Sequence, residues 1–334
     1  MSGTGAQEAK SVVRAFQSAV DAAAPGEAMR AACAASLSPG HAYRGVHPFG
    51  DLRGPGAVAE TVLSPLRRAA PVLQRRPDIF LAGVNHRHAD GAAWVVAMGN
   101  FLGDFTGSWL GIPPTGKATY LPYASLYRVE EGAIAETVEF LDPLAVITQA
   151  GLNPFAGAQT GASLMPPGPL THDGLLHGPQ DAAESERSRI LTERMLTELA
   201  DGYTSPADHM ARNWHADMTW FGPSGIGTSI GFAGYRRGHT DPFNDRQDIT
   251  DILDWELSVA EGAYSAVMWW PCLRMRNTGG YLGLPPNPAI AEMRVVDLYR
   301  RDGGKLAENW IFIDILHFMA QQGVDLLSDI GARP

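Results

Sequence analysis

The alternation of apolar and polar positions predicts helices at the start of each half of the chain and strands after them. Apolar residues recur at helical spacing in residues 8–24 and again in residues 183–199, so each stretch is predicted to be an amphipathic helix. Runs of strand-forming residues follow, separated by glycine-rich or charged turns. Helices followed by a long meander of strands indicate an α+β fold in each half.

One stretch of sequence occurs twice. Gly111-Ile-Pro-Pro in the first copy and Gly283-Leu-Pro-Pro in the second lie 172 residues apart, and Leu-Tyr-Arg, Ala-Glu, Phe and Asp follow both in the same register. The match continues without a gap through residues 107–151 and 279–323. A match of this length at one offset indicates the duplication of a whole domain.

Upstream of the repeated stretch, Phe49-Gly50 and Phe221-Gly222 are also 172 residues apart, whereas Gly54 and Gly231 are 177 apart. The sequence therefore predicts five extra residues in the second copy between these points. A length of 334 residues suits two domains. We expect domain 1 in residues 1–152, a linker rich in proline and glycine in residues 153–182, and domain 2 in residues 183–334.

Composition and charge exclude several classes of protein. The net charge of −10 argues against nucleic-acid binding, which needs basic patches. No apolar run approaches 18 residues, and the N-terminus shows no secretory signal. Cys33 and Cys272 lie at unrelated positions, which argues against a structural disulfide and favours a reduced cytoplasm. We expect a cytoplasmic protein that binds neither nucleic acid nor membrane.

The motif Gly111-Ile-Pro-Pro-Thr-Gly-Lys117, the following Tyr-Arg hairpin, Ala307-Glu308-Asn-Trp310 and Asp314 together resemble the SnoaL-like polyketide cyclases of the nuclear transport factor 2-like superfamily. The resemblance covers both halves. It implies that each half is a curved antiparallel sheet wrapped by helices into a cone, or α+β barrel, with a pocket inside. Since single-domain relatives pair through their sheets, it also implies an internal pseudo-dimer, with the formation of a homo-oligomer left open.

The resemblance also implies an intramolecular aldol closure without metal or cofactor. The usual acid/base pair is a histidine near the start of the glycine-rich motif and an aspartate on the following strand. Residues 104–106 and 276–278 supply no such histidine, and residues 118–120 and 290–292 supply no such aspartate, although Glu292 is near. The fold therefore carries over to this chain, whereas the aldol chemistry does not.

Three function hypotheses follow. The first is a cofactor-independent enzyme of cyclase, isomerase or hydrolase type, which acts on a small hydrophobic, carbonyl-bearing molecule by general acid/base chemistry. The second is a non-catalytic protein that binds a small apolar ligand. In the third, one or both domains are structural. A titratable carboxylate deep in an apolar pocket would favour the enzyme.

Ionisable residues inside the predicted strands of domain 2 are the candidates for catalysis: Glu292, Arg294 and Asp297, together with His215. Glu292 and Arg294 share a strand face, and Asp297 lies on the other. Ion pairing at the surface is the plainer explanation. If one face lines a pocket, Glu292 is expected to act as a base beside Arg294, so Glu292→Gln is expected to abolish turnover.

Domain 2 contains six of the eight tryptophans, and large flat side chains suit either a core or a ligand pocket. We place the main pocket in domain 2 for this reason. The candidate substrate-binding residues are Trp220, Trp269, Trp310, Tyr299, His47 and Asp104.

Other motifs have plainer explanations. Asp142 and Asp314 each precede a predicted helix, so we expect them to cap it. Gly111–Lys117 superficially matches a phosphate-binding loop, but Ala118 replaces the hydroxyl that would hold magnesium, and two prolines remove amides. His86, His88 and Asp90 read as a solvated turn, and no metal site is expected.

Overall fold

The computed structural model describes residues 3–87, 91–152, 166–200 and 207–331. We use domain 1 for residues 3–152 and domain 2 for residues 182–331. Domain 1 contains α1 (Gly3–Ala22), α2 (Glu27–Ser36), β1 (Leu37–Gly45), β2 (Gly50–Arg53), α3 (Pro55–Val58), a π-helical turn (Ala59–Leu63), α4 (Ser64–Ala69), β3 (Leu73–Val84), β4 (Ala93–Asp104), β5 (Ala118–Glu130), β6 (Ala133–Leu141) and α5 (Pro143–Gln149).

Domain 2 repeats this order. It contains α6 (Ala182–Ala200), α7 (Ala207–Asn213), β7 (Trp214–Phe221), β8 (Thr228–Ile230), α8 (Gly231–Tyr235), a π-helical turn (Arg236–Thr240), α9 (Asp241–Asn244), β9 (Gln247–Ile252), β10 (Leu257–Glu261), β11 (Tyr264–Asn277), a 3-10 turn (Tyr281–Gly283), β12 (Asn287–Asp302), β13 (Lys305–Ile313), α10 (Ile315–Gln321) and α11 (Leu326–Gly331). The prediction of two α+β domains is confirmed.

Each domain contains one curved, open sheet of mixed strands. The strand order is β2-β1-β6-β5-β4-β3 in domain 1 and β10-β11-β12-β13-β7-β8 in domain 2, with β9 paired to β11. The predicted antiparallel sheet needs one correction in each domain, because β1 pairs with β6 and β7 pairs with β13 in parallel. These pairs join the first and last strands of each domain, and the intervening elements provide the long crossover that parallel pairing needs. The two end strands of each sheet do not pair with each other, so neither sheet is a closed barrel.

The glycine-rich motif contains the same left-handed pair of residues in both copies. Leu110 and Gly111 have φ of 53° and 80°, and Leu282 and Gly283 have φ of 52° and 73°. These left-handed values explain the recurring glycine, because a residue without a Cβ adopts them at little cost. Gly111 and Gly283 therefore occupy equivalent places, as the duplication predicts.

The register upstream of this motif differs from the sequence prediction. Tyr43 lies opposite Thr137, and Trp220 lies opposite Asn309, which is 172 residues after Thr137. Tyr43 and Trp220 are thus equivalent at an offset of 177. The five-residue difference is already present at the first strand of each sheet, and the match of Phe49 with Phe221 is coincidental.

The two domains pack against each other as an internal pseudo-dimer. Phe140 of domain 1 meets Trp270 of domain 2 edge to face, with the ring centroids 5.5 Å apart. Lys10 donates to Glu261 across the interface at 2.6 Å, and both side chains are buried. The other oxygen of Glu261 accepts from the backbone amide of Ala82 at 2.7 Å. The buried ion pair is thus satisfied from more than one element, as such pairs must be.

Asp142 and Asp314 cap helices, as predicted, and also join the domains. Asp142 accepts from the amide of Ala145 at 3.3 Å, and Asp314 accepts from the amide of His317 at 3.2 Å. Asp142 also accepts from the amide of Ser224 in domain 2 at 2.9 Å, and Asp314 accepts from the amide of His47 in domain 1 at 3.1 Å. Burial raises the pKa of both carboxyls. The two contacts obey the pseudo-symmetry, because Ser224 lies 177 residues after His47.

The double role of Asp142 sets the expected effect of removing it. Asp142→Ala loses the cap, which contributes about 1 kcal/mol, and leaves the buried amide of Ser224 unpaired at a further cost of about 1–3 kcal/mol. Chemical denaturation measures the loss. Asp181 is the matched control, because it caps the exposed start of α6 through Ala183 and Glu184 only. Equal losses for Asp142→Ala and Asp181→Ala would show that the contact between domains contributes nothing.

Residues 166–180, from the second half of the predicted linker, contain no helix or strand and lie against both sheets. Asn100 of domain 1 donates to the carbonyl of Pro166 at 3.2 Å, and Trp310 of domain 2 donates to the carbonyl of Pro167 at 2.8 Å. Residues 153–165 of the predicted linker lie outside the described residues. No helix in the described residues is long and apolar enough to cross a membrane.

Candidate functional site

Domain 2 contains a partly open cavity of about 100 Å³ between its sheet, α6 and the helical segment 231–244. Aromatic side chains form much of the wall: Trp214, Trp220, Tyr235, Phe243, Trp269 and Tyr299. A fully enclosed cavity of about 150 Å³ binds benzene. The cavity of domain 2 is smaller but partly open, so a small, flat and largely apolar molecule of about one ring can occupy it and extend into its mouth.

The alternation of side chains along β12 and β13 decides which residues reach the cavity. On β12 the odd-numbered positions Met293, Val295, Asp297 and Tyr299 line it, and on β13 Asn309, Ile311 and Ile313 do so. Successive side chains of a strand point to opposite faces. The even-numbered positions on these strands consequently face away from the cavity.

Asp297 is the buried carboxyl group of this cavity. Only 7% of its surface is exposed, and its Oδ1 accepts from the Asn309 side-chain amide at 2.8 Å. Burial raises the pKa of Asp297 to about 7, although hydrogen bonds from Asn309 and Tyr299 favour the charged form. A carboxyl group of this pKa exchanges protons readily near neutral pH, which is the property of a general acid or base.

Tyr235 contributes a hydroxyl group near Asp297. It belongs to the short helix α8, lines the cavity and packs against Trp220 with 5.7 Å between ring centroids. No hydrogen bond of its hydroxyl is found within the described residues. Burial raises the pKa of Tyr235, and the nearby charge of Asp297 raises it further. Tyr235 therefore remains a neutral hydrogen-bond donor at any physiological pH.

His239 lies one helical turn after Tyr235 and is buried among aromatic rings. Its imidazole stacks on Trp220 with 4.3 Å between centroids and an interplanar angle of 18°. Tyr235 and Phe243 flank it at 5.3 and 5.9 Å. Burial lowers the pKa of His239 to about 4, so the ring is neutral at pH 7.

The charges around the cavity are few and negative. Among the described residues, Glu198 and Asp297 are the acidic residues that line it, and none of the lining residues is lysine or arginine. No group of three side chains suited to hold a metal ion is found in the described part of the chain. The cavity thus offers no counter-charge to an anionic ligand.

The structure places four of the predicted site residues together at this cavity. Asp297, Tyr299, Trp220 and Trp269 all line it. Each is at most 7% exposed. These four remain in the site that we propose.

Glu292, Arg294 and Trp310 lie outside the cavity because they occupy the opposite strand faces. The side chain of Glu292 is 34% exposed and pairs with Arg274 at 2.9 Å. Arg294 stacks over Trp270 at 4.4 Å and pairs with Asp314 at 3.4 Å. Trp310 faces the chain around Pro167 and stacks on Phe221. The expectation that Glu292 and Arg294 act together in the pocket is therefore withdrawn.

The remaining predicted residues also lie elsewhere. His215 lies near the start of β7, where its ring hydrogen-bonds the carbonyl of Asp302 at 3.0 Å. His47 lies at the contact between the domains, where its backbone amide donates to Asp314. Asp104 is exposed at the end of β4. His88 and Asp90 of the predicted turn lie outside the described residues, whereas His86 lies within them.

Sequence reasoning did not select Tyr235 or Asn309 for the site. Tyr235, His239 and Phe243 recur every four residues, which places them on one helical face, and this stripe was the available signal. Asn309 lies opposite Tyr299 in the ladder between β12 and β13. Its position in the cavity follows from the alternation on β13, because its neighbours Glu308 and Trp310 point to the opposite face of the sheet.

Domain 1 fills the equivalent positions with a different set of side chains. Tyr43, Ser125 and Glu139 stand where domain 2 has Trp220, Asp297 and Ile311. All three are buried, and Glu139 accepts from Tyr43 at 2.9 Å and from Ser125 at 3.1 Å. Burial raises the pKa of Glu139. The carboxyl group of domain 1 thus comes from the neighbouring strand and is engaged by its own surroundings.

Each half of the chain has an α+β fold in which helices cover a curved sheet. Two such halves define a tandem of nuclear transport factor 2-like domains. A family model described as SnoaL-like polyketide cyclase matches residues 26–150 and again residues 193–322. These matches cover more than half of the chain, so the chain belongs to the SnoaL-like polyketide cyclase family.

Solved structures align with one half of the chain at a time. A SnoaL-like protein from Jannaschia sp. CCS1 is 23% identical over 44% of this chain and 94% of its own, with a TM-score of 0.34. A nuclear transport factor 2-like protein from Burkholderia thailandensis E264 is 21% identical over 43% and 97%, with a TM-score of 0.32. IdmH from Streptomyces antibioticus is 19% identical over 40% and 98%, also with a TM-score of 0.32. No curated protein matches the chain.

Proposed function

We propose that domain 2 is a cofactor-independent enzyme that moves a proton next to the carbonyl group of a small apolar molecule. The observation that supports this most strongly is the burial of Asp297 in an otherwise apolar cavity, with its pKa raised to about 7. An ordinary aspartate with a pKa of about 4 is too weak a base for this task. Desolvation makes Asp297 a stronger base near neutral pH.

Asp297 and Tyr235 take complementary roles in this proposal. The ionised carboxylate of Asp297 removes a proton from the carbon beside the carbonyl, and the C–H electron pair moves into the carbon–oxygen system to give an enolate. Tyr235 donates its hydroxyl hydrogen bond to the oxygen on which the negative charge develops. Where the enolate is conjugated with a carbon–carbon double bond, return of the proton from Asp297 to the far carbon completes an isomerisation. Where the molecule has a second carbonyl, attack of the enolate on it closes a ring, and the new alkoxide takes the proton back from Asp297.

Asn309 and Tyr299 hold Asp297 in place. The Asn309 side-chain amide donates to Asp297 and to the carbonyl of Leu298, at 2.8 and 3.0 Å. Both of its hydrogens are thereby engaged, so Asn309 orients the carboxyl group rather than the substrate. Tyr299 is fully buried beside Asp297, and its hydroxyl hydrogen-bonds the carboxylate.

Exchange of carbon-bound hydrogen tests this proposal without knowledge of the natural substrate. The probe is phenylacetone in deuterated buffer, and ¹H NMR follows the loss of its α-hydrogen signals after subtraction of the protein-free rate. Because the base must be ionised, kcat/KM is expected to rise about tenfold per pH unit up to about pH 7 and to level off above it. A rate that does not depend on pH between 5.5 and 8.5 would contradict the role of Asp297.

A ligand-binding protein without catalysis is the second candidate function. The apolar wall and the absence of lysine and arginine among the described lining residues favour it, because these features retain a ligand and need no reaction. In that case, phenylacetone binds and its NMR resonances broaden, but its α-hydrogens do not exchange. The same experiment therefore separates the two functions.

A further inference from the structure

The duplication shows that the fold does not require a histidine at position 239. The π-helical turns at residues 59–63 and 236–240 lie 177 residues apart, which is the offset of the first strands of the two sheets. At this offset His239 corresponds to Val62, Tyr235 to Val58 and Phe243 to Leu66. Aliphatic residues thus suffice for the same helical face in domain 1.

His239 is also costly in its present surroundings. Only 6% of its surface is exposed, and no hydrogen-bond partner of its Nδ1 exists in the described part of the chain. The aromatic rings of Trp220, Tyr235 and Phe243 around it hold the imidazole in place. A buried polar group without a partner destabilises the folded state. Nδ1 itself has almost no surface open to the cavity, so the imidazole, which lines the cavity, must rotate for a ligand there to supply the missing partner.

We propose that His239 is a second hydrogen-bonding contact for the ligand of domain 2, and that this ligand is an uncharged molecule of about one ring with oxygen functions at two positions. One oxygen function lies near Asp297 and Tyr235, and the other bonds the imidazole. The cavity volume of about 100 Å³ sets the size. The lack of lysine and arginine among the described lining residues disfavours an anion. This inference rests on the cavity of the proposed function but not on catalysis by Asp297.

The test compares acetophenone with 3-hydroxyacetophenone and 4-hydroxyacetophenone, which add a second oxygen to the same ring. Dissociation constants are measured by ligand-observed NMR. At least one hydroxylated probe is expected to bind about fivefold more tightly than acetophenone, as one additional hydrogen bond contributes. Benzoate is expected to bind at least about tenfold more weakly than acetophenone, because the cavity must desolvate its charge.

Two variants and a control assign the preference to His239. His239→Val installs the side chain of domain 1 at this position and is expected to reduce the fivefold preference to about one. His239→Gln retains a side chain that can donate and accept, so it is expected to keep part of the preference. His41, a buried histidine of domain 1 with an unpartnered Nε2, is the control, and His41→Phe is expected to leave the preference unchanged. Circular dichroism verifies that each variant is folded.

A preference that persists in folded His239→Val would overturn the inference, as would equal binding of all three ketones by the wild-type protein. Benzoate binding as tight as that of acetophenone would overturn the assignment of an uncharged ligand. Failure of the proposed function has a different result. In that case phenylacetone shows no exchange, whereas the preference for a hydroxylated probe still depends on His239.

Discussion

Asp297→Asn is expected to reduce the rate of α-hydrogen exchange in phenylacetone by a factor of about 10²–10⁴, the contribution of a positioned general base. Asparagine has the size of a carboxyl group and can still accept from Asn309, so the cavity should retain its shape. It cannot take up a proton near neutral pH. Binding of the probe is therefore expected to change much less than the exchange rate.

Glu292→Gln is the matched control for this loss. Glu292 lies on the same strand as Asp297 and also carries a carboxylate, but on the opposite face and paired with Arg274. The rate of α-hydrogen exchange with the Glu292→Gln variant is expected to equal that with the wild-type protein. Glu139→Gln removes the buried carboxyl group of domain 1 and serves as a second control. Equal losses in Asp297→Asn and Glu292→Gln would contradict the assignment of the base.

The second large effect of Asp297→Asn is on stability. The substitution is expected to stabilise the folded protein, although it reduces the exchange rate. Because the pKa of Asp297 is about 7 in the folded protein and about 4 in an unfolded chain, the folded state binds the proton more tightly. Stability that this group contributes is thus lost as pH rises from about 4 to about 7. Each pKa unit corresponds to about 1.4 kcal/mol, so the ionised Asp297 costs about 4 kcal/mol above pH 7. Asp297→Asn avoids this cost.

Urea denaturation of the two proteins at a series of pH values measures this effect. The free energy of unfolding of Asp297→Asn relative to wild type is expected to increase between pH 4.5 and pH 7 and then to remain constant. Other buried carboxyls, such as Glu139 and Asp314, are present in both proteins and cancel in the difference. A difference that stays flat over this range would show that Asp297 ionises as easily in the folded protein as in water.

The fold could be predicted from the sequence because the duplication presents the same pattern of helices and strands twice. The helices that open each half, the α+β order and the capping roles of Asp142 and Asp314 were predicted from spacing and turn chemistry. The parallel pairing of β1 with β6 was not, since it depends on where the first strand lies and no local pattern records this. The offset of 177 at the first strands was likewise hidden by the coincidental match of Phe49 with Phe221.

The residues of the site could be predicted from the sequence only in part, because of the way in which β12 is buried. Between Ala291 and Arg300 its residues are buried or half-buried on both faces. Alternation shows that Glu292 and Asp297 lie on different faces, but it does not show which face encloses a cavity. The selection of Glu292 as the base was therefore a choice between two covered faces. Tyr235 and His239 lie on a helical segment whose distance from the sheet is set by tertiary packing.

The covalent fusion of two copies has a consequence for how their pockets can diverge. In a symmetric pair of identical chains, every substitution appears in both pockets at once. Here Ser125 and Asp297 occupy corresponding places but are encoded separately, and so are Val62 and His239. A change that suits one cavity leaves the other untouched, while the reciprocal contacts of Asp142 and Asp314 keep the two copies together. One copy is thereby free to specialise for a ligand, and its twin can serve as a scaffold.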